Sequence, residues 1–485
     1  MSLLRGASNA LLGATALLAA CTAGPDFKAP AAPTTAQYVT QGTPDLSAQD
    51  PSIAEQRVIL GGKVPSQWWA PFQSPNLDGV IQRALAGNRS LAAAKATLAA
   101  AQESVTASTG ALYPQVDLGA SLGRQKYGAA FIGSGPATPA FTYYSVGPGV
   151  SYLLDIAGKT KRTIEQQSAI AEHQSYEVAA AYLSLTGNVV MQALAVASTR
   201  AQILTVEDIL ADDEKNLDLV NSAEQAGSVA QVDVLIAESQ LANDRTLLPP
   251  LRQQLAVARH AIVVLVGQAP AGWVAPDFDL SEFTLPAKLP VSLPSALIHD
   301  RPDIMAAEAN LHAASAAIGI ATANLYPSID LTASLAQEAL TVPSLFNAAS
   351  AAWSLAAGLT APIFHGGELE AERREAIDNF HAGLANYEQT VLESFGQVAD
   401  VLDALAHDAE ELSAEKHAVE VAAASLRLTR LSYSAGNTGV LQVLDAQRQY
   451  QQAQLGYVRT EVQRYGDTAQ LFLACGGAAI SAPRQ

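Results

Sequence analysis

The chain has 485 residues, of which only 15% are charged and 6% aromatic; alanine crowds its helical stretches, a composition suited to close helix packing rather than a broad globular core. Its formal net charge is −18 and no run rich in lysine or arginine occurs, which argues against nucleic acid as a partner and toward an acidic surface or duct. Length by itself would suggest several domains, but the stretch from Leu112-Tyr113-Pro114 to Leu122 reappears from Leu325-Tyr326-Pro327 to Leu335, a duplication that makes length a poor domain counter.

Residues 1–20 carry Arg5 and then a short apolar stretch, Ala10 to Ala20, too brief for a spanning helix and typical of a cleaved signal peptide. It closes in Leu18-Ala19-Ala20-Cys21, a lipobox pattern that predicts acylation of Cys21 as the new N-terminus. Only Cys475 then remains, so no internal disulfide is expected. Residues 21–70, rich in Pro, Ala, Thr and Gln, read as an extended arm from the lipid to the body. No further apolar run reads as a membrane-crossing helix, which leaves strands as the way across.

The first repeat is placed at 71–267. A helix from Leu77 to Ala111 feeds a strand at Leu112-Tyr113-Pro114, and apolar residues then alternate at Val116, Leu118, Ala120 and Leu122. A second run keeps that parity with Tyr144, Val146, Val150, Tyr152, Leu154 and Ile156. The two make a hairpin over about 114–157, each strand near the ten residues that a tilted transmembrane strand needs. Ile132 to Gly135 reads as its connecting loop. From about 160 to 266 follows a helical hairpin: Tyr182, Val189, Val196, Ile203, Leu210 and Leu217 sit seven apart, the period of a coiled coil. Gly227 marks the turn, and Pro249-Pro250 should interrupt the return helix.

A proline-rich strap, 268–295, leads to the second repeat at 296–476. A helix from Ile304 to Asn324 ends at Leu325-Tyr326-Pro327. Strands over about 327–365 carry Ile329, Leu331, Ala333 and Leu335, then Trp353, Leu355, Ala357, Leu359, Ala361 and Ile363. Helices over about 367–474 hold nine heptad positions, Ile377 to Tyr433, then the turn at Gly436. A helix of that length would be on the order of 100 Å long. Residues 477–485 form a tail.

Two hairpins give four strands, which cannot close a barrel, and open edges facing lipid would cost several kcal/mol per unpaired backbone group. Two copies would give eight strands and a filled interior; three give twelve and leave a lumen. The expected fold is mainly α with transmembrane β: a homotrimer whose twelve-stranded β-barrel continues into an α-helical barrel.

The chain resembles the TolC-like outer-membrane factors, and more closely their NodT-type efflux lipoprotein branch. The resemblance rests on the stretch from Cys21 to Phe27, Trp68-Trp69 with Phe72, and Ser74-Pro75 with Asp78. Further on it rests on Arg301-Pro302-Asp303-Ile304, Ala361 to Phe364 with Gly366-Gly367, and Leu444 to Gln447. It implies a passive conduit in the outer membrane of a Gram-negative bacterium, with a periplasmic helical tunnel. It also implies two partners, a periplasmic adaptor protein and an inner-membrane pump of the RND, MFS or ABC type. Two departures are Thr438, where the family often has a basic residue, and the ending Ala474-Cys475-Gly476-Gly477.

In the resembling family the tunnel closes at its periplasmic end. Carried over by motif, the gate falls on Asp445 and Leu441, with Asp233 and Val232 in the matching turn and Tyr433 before the second glycine. Threefold symmetry would make each aspartate a ring, whose crowded charges raise some pKa values and attract cations, while apolar rings beside them exclude water. The alternative is that Asp233 and Asp445 simply favour the positive ends of the return helices.

No phosphate-binding loop or paired histidine motif occurs, so no catalytic residue, cofactor or metal is expected. His365 reads as a strand-end residue and Asp212-Asp213-Glu214 as a solvated helix face. Export of drugs or other small molecules is the leading reading. Type I protein secretion, or a structural periplasmic coiled-coil lipoprotein, are the alternatives.

Overall fold

The computed structural model describes residues 22–39, 42, 46, 53–128 and 139–477. The expected signal peptide, Cys21, the Ile132–Gly135 loop and the tail past 477 lie outside the described residues. The described chain gathers into two compact units that cut across both repeats: one takes residues from Met1–Pro30, Leu98–Gln174 and Ala307–Tyr387, the other Ala31–Thr97, Ser175–Ala306 and Glu388–Gln485.

The first unit is built on a four-stranded antiparallel sheet of β2 (Gln115–Gln125), β3 (Phe141–Leu154), β5 (Ser328–Ala339) and β6 (Ala351–Thr360), in the order β2-β3-β5-β6. The register aligns apolar residues into rows: Val116 faces Val150, which faces Ala333, which faces Leu355. Opposed residues share a face, so one side of the sheet is aliphatic. The other side carries Asp117, Gly149, Ser334 and Ser354 in register, and the two serine hydroxyls lie 2.8 Å apart. The aliphatic side is bare: Leu118 is 78% exposed, Trp353 78% and Leu355 76%. Among the described residues, strands β2 and β6 each pair on one side only.

The second unit holds most of the helix. Ser74 accepts from Leu77 N and Pro75 takes the first turn of α1 (Pro75–Gly87). The expected single helix from Leu77 to Ala111 is broken at Asn88 before α2 (Arg89–Gly110). Asn88 is extended; its Oδ1 accepts from Leu91 N and its Nδ2 donates to Leu265 O. The amide thus caps a new helix and latches it to α5 (Leu248–Leu265), while Gly87 makes room for the Val266 carbonyl, which would lie 2.4 Å from any Cβ there. Trp68 and Trp69 are buried in this unit with Phe72 and Phe472. Each indole N–H finds a partner, Trp68 on Thr186 Oγ1 and Trp69 on Asp78 Oδ1, both at 3.1 Å.

Helix α3 (Lys159–Gln225) is followed by α4 (Gln231–Arg245) and α5, and α8 (Glu368–Ser434) by α9 (Val440–Ala474). The prolines act as the sequence suggests: the first return helix stops at Arg245 and restarts at Leu248, with Pro249 and Pro250 in its first turn, whereas α9 runs unbroken. Heptad residues Val189, Val196, Val391, Val398, Leu405, Leu412 and Leu426 are buried. The arm holds an unforeseen strand, β1 (Arg57–Leu60), which pairs in parallel with β4 (Lys288–Val291) of the strap. Among the described residues two helices, α3 and α7 (Pro302–Ala323), are long and apolar enough by composition to cross a membrane, contrary to expectation. Alanine-rich packing accounts for this, since 44% and 56% of their most apolar stretches are buried inside the protein. The strands, by contrast, leave Val116, Leu118, Leu122, Trp353, Leu355 and Leu359 exposed in apolar rows.

Candidate gate and membrane face

Both helical hairpins turn on a left-handed glycine, Gly227 at φ +75° and Gly436 at φ +74°. At each, the following N–H reaches back over the last turn, Ser228 to Ala223 O and Asn437 to Ser432 O. A β-carbon would be strained in that conformation, so these two positions fix where the chain reverses.

Below the turns a small apolar cluster ties the hairpins together: Val220, Val234, Ala237, Val440 and Leu444 are buried, with Tyr433 packed against them. Tyr433 also packs on Leu426, Val443 and Ala446, so its ring serves as a hinge-side wedge within the protomer. Leu441 and Asp445 come together on one exposed groove of α9, shared with Ser425, Thr429 and Gln449. Asp445 is not bare. Arg448 Nη2 donates to its Oδ1 at 2.6 Å and Gln449 Nε2 to its Oδ2 at 2.9 Å. Arg448 lies three residues away on the same helix, a spacing that makes the ion pair readable in sequence once Asp445 is singled out.

Val232 is exposed at the start of α4, and Asp233 sits one position on, outside that groove. Its carboxylate accepts from Ala230 N at 3.0 Å, which gives it a capping job on the positive end of α4. Asp233→Ala is expected to fray the turn by about 0.5 kcal/mol. Hydrogen exchange over residues 226–236 should speed up accordingly, while the rest of the protein stays unchanged.

The stretch Asp212 to Glu214 is not a solvated face throughout. Asp212 accepts from Lys215 and Arg430, and Glu214 pairs with Arg245, but Asp213 is 3% exposed and holds Gln451 Nε2 at 3.0 Å. Burial, with Asp244 hydrogen-bonded to it, pushes the Asp213 carboxyl up to about 7. Asp408 repeats the arrangement between α8 and α9: burial and Asp467 raise it to about 7, with Glu411 and Arg464 beside it. The second oxygen of each, Asp213 Oδ2 and Asp408 Oδ2, is buried with no N–H donor on it, which leaves it to share a proton with the partner carboxyl. Sequence reasoning missed both pairs. Cys475 is buried at 1% exposure, and burial pushes its thiol up to about 11, so it is inert. His365 is exposed just past β6.

The model of the outer membrane efflux protein family matches residues 80–268 and 293–477, both repeats. The chain belongs to that family. Among curated relatives, the efflux protein is 29% identical over 473 residues to the pyoverdine export outer membrane protein OpmQ of Pseudomonas aeruginosa, covering 96% of each chain. It is 30% identical to the antibiotic efflux pump outer membrane protein ArpC of Pseudomonas putida, over 95% of this chain and 93% of ArpC. Of solved structures, the outer-membrane channel OprN matches with a TM-score of 0.85 at 27% identity, over 94% of this chain and 99% of OprN. The open state of the Neisseria gonorrhoeae MtrE outer membrane channel matches at 0.81 and 26% identity, over 94% of this chain and 98% of MtrE. The efflux protein is therefore an outer membrane channel component.

Proposed function

We propose that three copies close their sheets into one twelve-stranded barrel and stack their helical hairpins into a tunnel, forming the outer-membrane exit duct of a tripartite small-molecule efflux system. One observation carries the reading: a sheet with a single aliphatic face and two unpaired edges, attached to helical hairpins. Twelve strands are the smallest multiple that satisfies every edge and leaves a lumen. Energy must come from a partner, because a passive duct does no chemistry. A periplasmic adaptor and an inner-membrane pump supply it. The named relatives export pyoverdine and antibiotics, which supports small molecules over secreted proteins as cargo. Deleting the gene should sensitise the cell to a panel of small toxic compounds, and plasmid-borne wild type should restore growth. Unchanged susceptibility together with loss of a secreted protein would favour the type I secretion alternative.

The gate in this reading is the ring of Leu441 and Asp445 at the closed end of the tunnel, with Tyr433, Val232 and Asp233 supporting the turn. Each aspartate brings Arg448 with it, so the ring is three ion pairs rather than three naked charges. Asp445→Ala removes the acid and leaves Arg448 unpaired, which should loosen the closed state and favour anions. Expected is a several-fold rise in single-channel conductance in a planar bilayer; conductance at the wild-type level would count against the gate. Acylation of Cys21 adds roughly 0.8 kcal/mol of membrane affinity per buried CH₂, supplementary to the barrel.

A further inference from the structure

We propose that Gly24 to Phe27 form an intramolecular docking motif with Arg162 as its receptor, which seats the N-terminal segment beside the end of β3 and so delivers the Cys21 acyl group to the lipid-facing sheet. The delivery half rests on the lipidated reading of Cys21; the docking half does not.

A plain tether needs no specific contacts, yet Ala23, Gly24, Asp26 and Phe27 each have a partner within the first unit. Arg162, one turn into α3, has a side chain only 5% exposed. Its Nε donates to Ala23 O at 3.0 Å, its Nη2 to Gly24 O at 3.3 Å and to Asp26 Oδ1 at 2.8 Å, and its Nη1 to Glu165 Oε2 at 2.7 Å. Most of that donor fork is therefore directed at the N-terminal segment rather than at the helix that carries it. Buried guanidinium without such acceptors would be costly, so the segment and its receptor fit only together.

Gly24 lies at φ +84°, and a β-carbon on it would sit 2.4 Å from Gly319 Cα on α7. Gly319 is itself confined, since a β-carbon there would meet the Arg162 stem at 2.7 Å. Phe27 stacks on His312, ring centroids 4.4 Å apart and 13° from parallel, and His312 Nε2 lies 3.1 Å from Glu165 Oε1. Ala23 N donates to Ala157 O at 2.8 Å, three residues past the end of β3, and Thr22 lies against Gly158.

The test uses the full-length mature channel in detergent, with Cys21→Ser and Thr22→Cys carrying a nitroxide; buried Cys475 stays unlabelled. The parent should give a motionally restricted spectrum. Gly24→Val, which alters only the segment and leaves the receptor helices intact, should convert it to the fast, unfolded-peptide lineshape. Arg162→Ala should do the same, and Arg162→Lys should keep part of the restricted component. A label already mobile in the parent, or one still restricted after Gly24→Val, would overturn the dock. Mass spectrometry of the N-terminal peptide from the wild-type protein addresses the other half: a diacylglyceryl mass on Cys21 supports delivery. An unmodified mass overturns it and leaves the docking half to the label.

Discussion

Leu355→Arg is expected to empty the outer membrane of folded, heat-modifiable assembly. Leu355 lies mid-strand in β6, is 76% exposed, and stands in the apolar row that runs through Ala333 and Val150 to Val116. An arginine at mid-bilayer on a barrel's lipid face costs about 2–4 kcal/mol, and three copies would multiply that to a sizeable share of a typical stability of roughly 5–15 kcal/mol. Ser354→Arg, the neighbour on the polar face, is the control. It should leave a trimer band that shifts on boiling, because a charge there meets water. Equal behaviour of the two variants in the membrane fraction would remove the assignment of faces, and with it the case for a closed barrel.

The second large effect is a pH dependence of stability that runs opposite to the usual acid denaturation. Asp213 and Asp408 both have folded-state pKa values of about 7, raised by burial and by a second carboxyl, Asp244 and Asp467 respectively. Such groups bind more protons folded than unfolded between about pH 4 and pH 7. Their contribution to stability is therefore greatest below the unfolded pKa, falls as pH rises through that window, and levels off above about 7. Facing groups on the neighbouring helices set the balance: Asp212 and Gln451 around Asp213, Glu411 and Arg464 around Asp408. The helical signal should melt several degrees higher at pH 5.5 than at pH 8. Asp213→Asn with Asp408→Asn should flatten that slope and raise the melting temperature at pH 8. An unchanged slope in the double variant would mean that neither pair holds a proton.

Much of this was legible because periodicity is loud. Alternation from Val116 and from Ile329 gave the strands, the seven-residue spacing from Tyr182 and Ile377 gave the helices, and Gly227 and Gly436 gave the turns. Leu441 and Asp445 do share a groove, and Asp233 does cap a helix. What stayed hidden has little periodic signature. Asn88 breaks a helix inside an alanine-rich stretch by a side-chain amide bond to Leu265, a contact that no local pattern announces. Strand β1 is four residues long, and its partner β4 contains Pro290, which ordinarily argues against a strand; in a two-stranded pairing its missing N–H harms nothing. Asp213 and Asp408 look like solvent-facing acids, because in sequence a buried carboxyl sharing a proton cannot be told from an exposed one. Arg448 looks like ordinary surface charge in sequence, because its partner Asp445 lies on the same helix.

The arm's attachments set an order of events during biogenesis. Tyr38 reaches Ser292, 254 positions later, and Gln56 donates to Thr468, 412 positions later, where Arg464 also grips Ala54 O. A polypeptide threaded into the periplasm from its first residue must keep this stretch waiting until almost the last helix has emerged. Contacts of such separation form late and slowly. The newborn subunit therefore travels with the stretch around Tyr38 and Gln56 unfastened, a window in which a holding chaperone has something to hold and a protease something to cut.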